Sequence, residues 1–217
     1  MDRVTIPIDG KTLPGNLTYP PDASGIVVFA HGSGSSRHSP RNNFVADTLV
    51  DRGLATLLFD LLTEREDRSR ANRFDIDLLT RRLLRVTDWV RGRSDTAQLP
   101  IGYFGSSTGA AAALRAAADR SGDTAAVVSR GGRVDMATHA LDAVRAPTLF
   151  VVGGADREVL ALNREALARL RCEKRLEVVP GAGHLFAGRG ELEQVATVAA
   201  DWFETHLTAA REVAGSR

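Results

Sequence analysis

Residues 100–109 read PIGYFGSSTG, and an alanine-rich stretch, 110–118, follows directly. Apolar residues up to Phe104 make a short buried strand, and alanine is the strongest helix former. Between them stands Gly105-Ser106-Ser107-Thr108-Gly109, the pattern G-x-S-x-G. A serine placed on a very sharp strand-to-helix turn projects its hydroxyl from the sheet. Glycines two residues before and after remove side chains that would collide as the backbone folds back. The helix N-terminus behind the serine favours developing negative charge. Ser107 is therefore the expected nucleophile.

The same strand signal recurs at 25–30, 54–59, 125–129, 148–152 and 176–179. These are continuous apolar runs, as strands buried on both faces require. Segments of helical periodicity separate them at 44–52, 74–90, 110–118, 159–170 and 192–207. Strands alternating with helices imply an α/β fold, a mostly parallel sheet with helices on both faces. Two further strands, 4–8 and 13–19, flank the turn signal Asp9-Gly10 and have no helix between them. They make an antiparallel edge hairpin within residues 1–24, for eight strands in one domain spanning 1–217. Residues 61–73 read as a loop, and the tail 208–217 is expected to fray.

Ligands of open α/β sheets bind beyond the carboxyl ends of the strands, so candidate functional residues are those just after each strand. After 148–152 comes Gly153-Gly154-Ala155-Asp156; after 176–179 comes Pro180-Gly181-Ala182-Gly183-His184. An acid and a histidine on tight loops, in the order Ser107, Asp156, His184, make a nucleophile–base–orienter set. Read singly, Asp156 could be only a helix N-cap, and His184 only a loop residue packed on Phe186. After 25–30 comes His31-Gly32-Ser33-Gly34-Ser35-Ser36. This loop supplies a backbone N–H, expected from Ser33, to pair with that of Thr108 as an oxyanion hole. The rival use of such a loop is a phosphate cradle, but neither G-x-x-x-x-G-K-[ST] nor G-x-G-x-x-G is present. His31 is expected to fix the loop by hydrogen bonds rather than to act on substrate.

These motifs resemble an α/β-hydrolase, and within that superfamily the dienelactone-hydrolase-like proteins. The resemblance rests on FAHGSGSSRHSPRN, GYFGSSTGAAAAL, VVSRGGR, VVGGADREV and VPGAGHLF, and covers about residues 25–207. It points to a bacterial subgroup that also occurs fused to phosphoribosyltransferase domains. Dienelactone hydrolases proper use a cysteine nucleophile where this chain has Ser107, so the dienelactone substrate itself is not implied. Only about 17 residues separate Ser129 from Pro147. That leaves room for a loop and one short helix, not for a lid domain, and an unlidded site suits a small or soluble acyl substrate.

Composition excludes other classes. The chain has 217 residues, 43% of them hydrophobic, with 28 basic and 27 acidic side chains. That is enough apolar content for a core, and too little net charge for disorder or a nucleic-acid field. Cys172 is the single cysteine, so no internal disulfide framework exists. No apolar run approaches the roughly 18 residues of a membrane span. The opening MDRVTIPIDG does not read as a signal peptide, which sets the expectation of a cytoplasmic protein.

The sequence therefore reads as a serine hydrolase of a small carboxylic ester, lactone or thioester, working as a monomer or homodimer without metal or organic cofactor. The same acyl-enzyme could serve an acyltransferase, and the fold could persist in a binding protein without catalysis. Arg37, Arg41 and Arg130 are candidates for holding an acidic substrate group, with a structural role the plainer reading in so arginine-rich a chain.

Overall fold

The computed structural model describes residues 1–215. The chain begins with the hairpin β1 (Asp2–Ile8) and β2 (Lys11–Thr18). Its turn residues Asp9 and Gly10 both have positive φ, 47° and 73°, as the favoured two-residue hairpin turn demands. Then follow β3 (Ile26–Ala30), α1 (Pro40–Asp51), β4 (Ala55–Phe59), α2 (Glu64–Asp67), α3 (Arg70–Arg73) and α4 (Ile76–Arg91). The remainder is β5 (Ile101–Ser106), α5 (Thr108–Asp119), β6 (Thr124–Arg130), β7 (Thr148–Gly153), α6 (Arg157–Arg169), β8 (Lys174–Val179) and α7 (Glu191–Gly215). The sheet order is β1-β2-β4-β3-β5-β6-β7-β8. β1 and β2 are antiparallel to their neighbours, and every other pairing is parallel.

Every residue of β3, β4, β5 and β7 is buried, which is why those strands read as unbroken apolar runs. One face packs on α4 and α5 through Leu83, Val86, Ala111 and Leu114. The other packs on α1 and α7 through Val45, Leu49, Val195 and Phe203. Phe203 is fully buried. A Cβ on Gly102 of β5 would stand 2.6 Å from the Phe203 ring, so strand and helix are shaped to each other. Phe203→Ala at such a site costs about 3–5 kcal/mol.

Four local expectations are corrected. Residues 61–73 are not plain loop but carry α2 and α3. Thr63 and Glu66 form a reciprocal capping box: Thr63 Oγ1 accepts from the Glu66 N–H (3.3 Å), and Glu66 Oε2 accepts from the Thr63 N–H (2.9 Å). Glu66 is also bonded to Lys11 on β2 and to Arg82 on α4 (2.8 Å), so tertiary partners hold a segment too short to persist alone. Helix α1 starts at Pro40, ahead of its first apolar residue, because Ser39 caps it by accepting from the Asn42 N–H. Between β6 and β7 lie two 3₁₀ turns, Val134–Ala137 and Leu141–Ala143, in place of one short helix. The tail does not fray at Leu207: α7 runs on to Gly215, and within it Arg211 donates to the carbonyls of Asp22 (3.2 Å) and Ala23 (2.8 Å). The last two residues of the expected tail lie outside the described residues.

Candidate active site

Ser107 is the single residue between β5 and α5. Its backbone sits at φ 51°, ψ −121°, a region that a non-glycine residue adopts only when its surroundings force it. The forcing groups are visible. A Cβ on Gly105 would lie 2.7 Å from the Ala110 nitrogen, and one on Gly109 would lie 2.6 Å from the His31 carbonyl oxygen. Both glycines of the motif are therefore steric requirements: strand, helix and the loop after β3 meet with no room for a methyl group. The Ser107 N–H donates to the Arg130 carbonyl (3.2 Å), and its own carbonyl accepts from the Arg133 N–H (3.0 Å). The elbow is thus pinned to the segment after β6.

The loop after β3 lies directly against the elbow. A Cβ on Gly32 would be 3.0 Å from the Ser107 Cβ. Ser35 N–H donates to the Gly32 carbonyl (3.1 Å), and Gly34 has φ 71°. That is a type II turn with Ser33 at its second position, where the backbone N–H plays no part in the turn. Thr108 is the first residue of α5, where the backbone N–H has no intrahelical acceptor. Two N–H groups uncommitted to local structure thus flank Ser107. His31 holds the turn as expected. Its Nε2 accepts from the Leu61 N–H (3.0 Å), which leaves Nδ1 to donate to the Gly32 carbonyl (3.0 Å). Burial pushes the His31 pKa below 6.5 and keeps the ring in this neutral form.

Asp156 and His184 arrive from different loops and meet. His184 Nδ1 donates to Asp156 Oδ2 at 2.7 Å. Asp156 does occupy the N-cap position of α6, but its carboxylate makes no capping bond. Its side chain serves the histidine instead. Phe186 is buried in the core, and the His184 ring is not packed away with it: the side chain is 42% exposed. With Nδ1 committed, Nε2 is the nitrogen left free to accept a proton.

The three arginines divide. Arg37 is committed to Asp60, through its backbone N–H to Oδ1 (2.8 Å) and its guanidinium to Oδ2. Arg37 thereby ties the loop after β3 to the end of β4. Arg41 near the start of α1 and Arg130 at the end of β6 have no acid partner among the described residues. Arg130 Nη1 is buried without any hydrogen-bond acceptor. Burial pulls the Arg130 pKa down to about 10, and the like charge of Arg41 acts in the same direction.

One residue escaped the sequence reading. Asn163 on α6 is fully buried, and its Nδ2 donates to the Gly132 carbonyl (2.9 Å) and to the Val159 carbonyl (2.8 Å). It holds the loop after β6, where Gly131 lies against the His184 ring. The signal was there: an amide on the apolar face that Val159, Leu160 and Ala166 define. Among the described residues no group of three His, Cys, Asp or Glu side chains could hold a metal ion, and no helix is long and apolar enough to cross a membrane.

The alpha/beta hydrolase domain family matches residues 23–203. The crystal structure of dienelactone hydrolase from Anabaena variabilis ATCC 29413 is 52% identical, covers 95% of this chain and 97% of that one, and superimposes with a TM-score of 0.93. The chain belongs to the alpha/beta-hydrolase family, in its dienelactone-hydrolase-like branch. Rv0571c of Mycobacterium tuberculosis (strain ATCC 25618 / H37Rv), provisionally named a phosphoribosyl transferase, is 60% identical over 193 residues. That match takes in 89% of this alpha/beta hydrolase but only 44% of the mycobacterial protein. It agrees with the expected kinship to fused proteins. Est1E from Butyrivibrio proteoclasticus shares the fold at 17% identity, with a TM-score of 0.81 over 94% of this chain and 98% of that one.

Proposed function

We propose that this alpha/beta hydrolase is a serine hydrolase of small carboxylic esters, lactones or thioesters. Ser107 Oγ attacks the carbonyl carbon while His184 Nε2 takes its proton. Asp156 keeps the proton on His184 Nδ1 and stabilises the imidazolium that forms. The N–H groups of Ser33 and Thr108 receive the negative charge on the carbonyl oxygen. The imidazolium then protonates the leaving group. Water, deprotonated by the same histidine, clears the acyl-enzyme and regenerates Ser107.

The observation that carries this reading is the 2.7 Å bond between His184 and Asp156. The two residues lie 28 positions apart on separate loops, at the same end of the sheet as the strained Ser107. An N-cap aspartate and an exposed histidine have no structural need of each other. Lactones belong in the substrate class because the Anabaena relative is named a dienelactone hydrolase. The phosphoribosyl transferase name belongs to a protein of which this segment is 44%, and a Ser-His-Asp set is built for acyl transfer.

Intact-protein mass after incubation with a fluorophosphonate tests the assignment. One adduct on the wild type, mapped to Ser107, and none on Ser107→Ala is the expected result. Absence of an adduct on the wild type at neutral pH overturns it.

A further inference from the structure

By burial alone Asn163 is the wrong residue for its place. It is fully buried among the apolar residues of α6, and its Oδ1 has no hydrogen-bond partner among the described residues. A buried amide oxygen left unpaired is unfavourable, and a leucine, branched at the same carbon, would avoid it. One Nδ2 bond goes to the Val159 carbonyl, four residues back, and joins α6 to nothing else. Only the other, to the Gly132 carbonyl at 2.9 Å, leaves the helix.

That carbonyl belongs to a particular peptide group. The Gly132 C=O and the Arg133 N–H are the two ends of one planar, rigid unit. The Arg133 N–H donates to the Ser107 carbonyl at 3.0 Å. A continuous chain therefore runs from Asn163 Nδ2 through the 132–133 peptide to the backbone of Ser107, and each bond polarises the next. The same segment meets the nucleophile a second time, where the Arg130 carbonyl accepts from the Ser107 N–H. Gly131, between these contacts, faces the His184 ring, so one short segment spans nucleophile and base. It has little room to shift toward α5: a Cβ on Gly132 would lie 2.1 Å from Ser129 Oγ and 2.8 Å from the Ala110 Cβ.

Ser107 needs such a clamp. Its φ of 51° and ψ of −121° persist only while surrounding groups over-determine them. The other bond to its carbonyl, from the Ala110 N–H at 3.1 Å, comes from α5 itself and moves with the elbow. The Arg133 N–H is the donor that ties this carbonyl to the rest of the domain.

We propose that Asn163 is a positioning residue for the nucleophile: through the 132–133 peptide it holds the Ser107 backbone in its strained conformation and so aims Oγ. The proposal rests on the hydrolase reading and adds to it a residue that touches no substrate. Without the Asn163 donor the peptide is free to tilt, the Arg133 bond lengthens, and Ser107 relaxes toward ordinary backbone angles. Misplacing a catalytic group by 1 Å costs about 100-fold, so a partial relaxation is expected to cost about tenfold.

Fluorophosphonate inactivation separates aim from binding. In Asn163→Leu the maximal inactivation rate constant is expected to fall about tenfold or more, while the half-saturating probe concentration stays at the wild-type value. Leu83→Ala, a core truncation on α4 outside this hydrogen-bond chain, is the control for lost stability and is expected to move neither value. All proteins are assayed well below their thermal midpoints. Amide hydrogen exchange gives a readout independent of activity. With the amides of β3 as reference, the Arg133 and Ser107 N–H groups are expected to exchange faster in Asn163→Leu and not in Leu83→Ala. Asn163→Ala removes the same donor and carries the test if the leucine variant does not fold. A folded variant that labels at the wild-type rate overturns the proposal, as does unchanged exchange at Arg133 and Ser107. An equal loss of rate in Leu83→Ala would trace the effect to stability and overturn it as well. If the wild type itself takes no label, the hydrolase reading falls; faster exchange in the variant then still supports the clamp on Ser107, and unchanged exchange removes it.

Discussion

Gly109→Ala puts the geometry of the elbow to a direct test. An added Cβ would lie 2.6 Å from both the Ala30 carbonyl carbon and the His31 carbonyl oxygen, and closer still to the Ala30 oxygen. A relaxed carbon–oxygen contact needs roughly 3.3 Å, so α5 must retreat from the end of β3 by about 1 Å. The neighbours are backbone atoms at the end of a buried strand and of the first residue after it, which cannot rotate out of the way as a side chain would. The retreat carries Thr108, the first residue of α5, away from the Ser33 turn, and so splits the two proposed oxyanion donors. Displacing catalytic groups by 1 Å costs about 100-fold in rate. The overpacking itself costs about 1–3 kcal/mol. At roughly 2–4 °C per kcal/mol for a domain of this size, the thermal midpoint falls by about 2–12 °C. The assay is kcat/KM on 4-nitrophenyl acetate beside the fluorophosphonate labelling rate, with far-UV circular dichroism to confirm the fold. Gly122→Ala is the control, because a Cβ there meets nothing within 4 Å. A folded Gly109→Ala protein that stays within threefold of wild type on both rates would refute the reasoning.

Three other expectations follow from the same contacts. Asp156→Asn cannot hold the His184 tautomer as the carboxylate does, so kcat on 4-nitrophenyl acetate falls about 10²- to 10⁴-fold; an unchanged kcat would remove Asp156 from the mechanism. His31 titrates below 6.5 in the folded protein because burial disfavours its charged form, so the unfolded chain takes the proton first as pH falls. Stability is full above about pH 6.5 and declines below it. Urea denaturation between pH 7.5 and 5 should show a shallower decline in His31→Gln, and equal slopes would count against the buried neutral imidazole. Asn163→Leu leaves the Gly132 carbonyl without its donor and lowers unfolding free energy by about 1–3 kcal/mol. An unfolding midpoint equal to wild type would show that the loop after β6 does not depend on that bond.

Much of the molecule was legible in the residues themselves. The buried strands announce themselves as apolar runs because both faces of a parallel sheet are covered, and the elbow does so because its two glycines are steric necessities. Ser107, Asp156 and His184 follow as the residues standing just beyond strand ends. The helices at 64–67 and 70–73 were not legible. Four residues carry no period, and what stabilises the first of them is a capping box together with Lys11 and Arg82, 55 and 16 positions from Glu66. The start of α1 was missed for a related reason: its cap is polar, and an apolar count begins too late.

Local chemistry therefore determined the strand–helix alternation, the nucleophile turn and the order of the candidate triad, because each depends on neighbours within a few residues. Tertiary structure alone decided which charges are paired. Arg37, Arg41 and Arg130 are equal on paper, yet Asp60 neutralises the first, while the other two have no acid partner among the described residues. A charge's partner is set by distance in space, and the chain brings Asp60 within reach of Arg37 only by laying β4 beside β3.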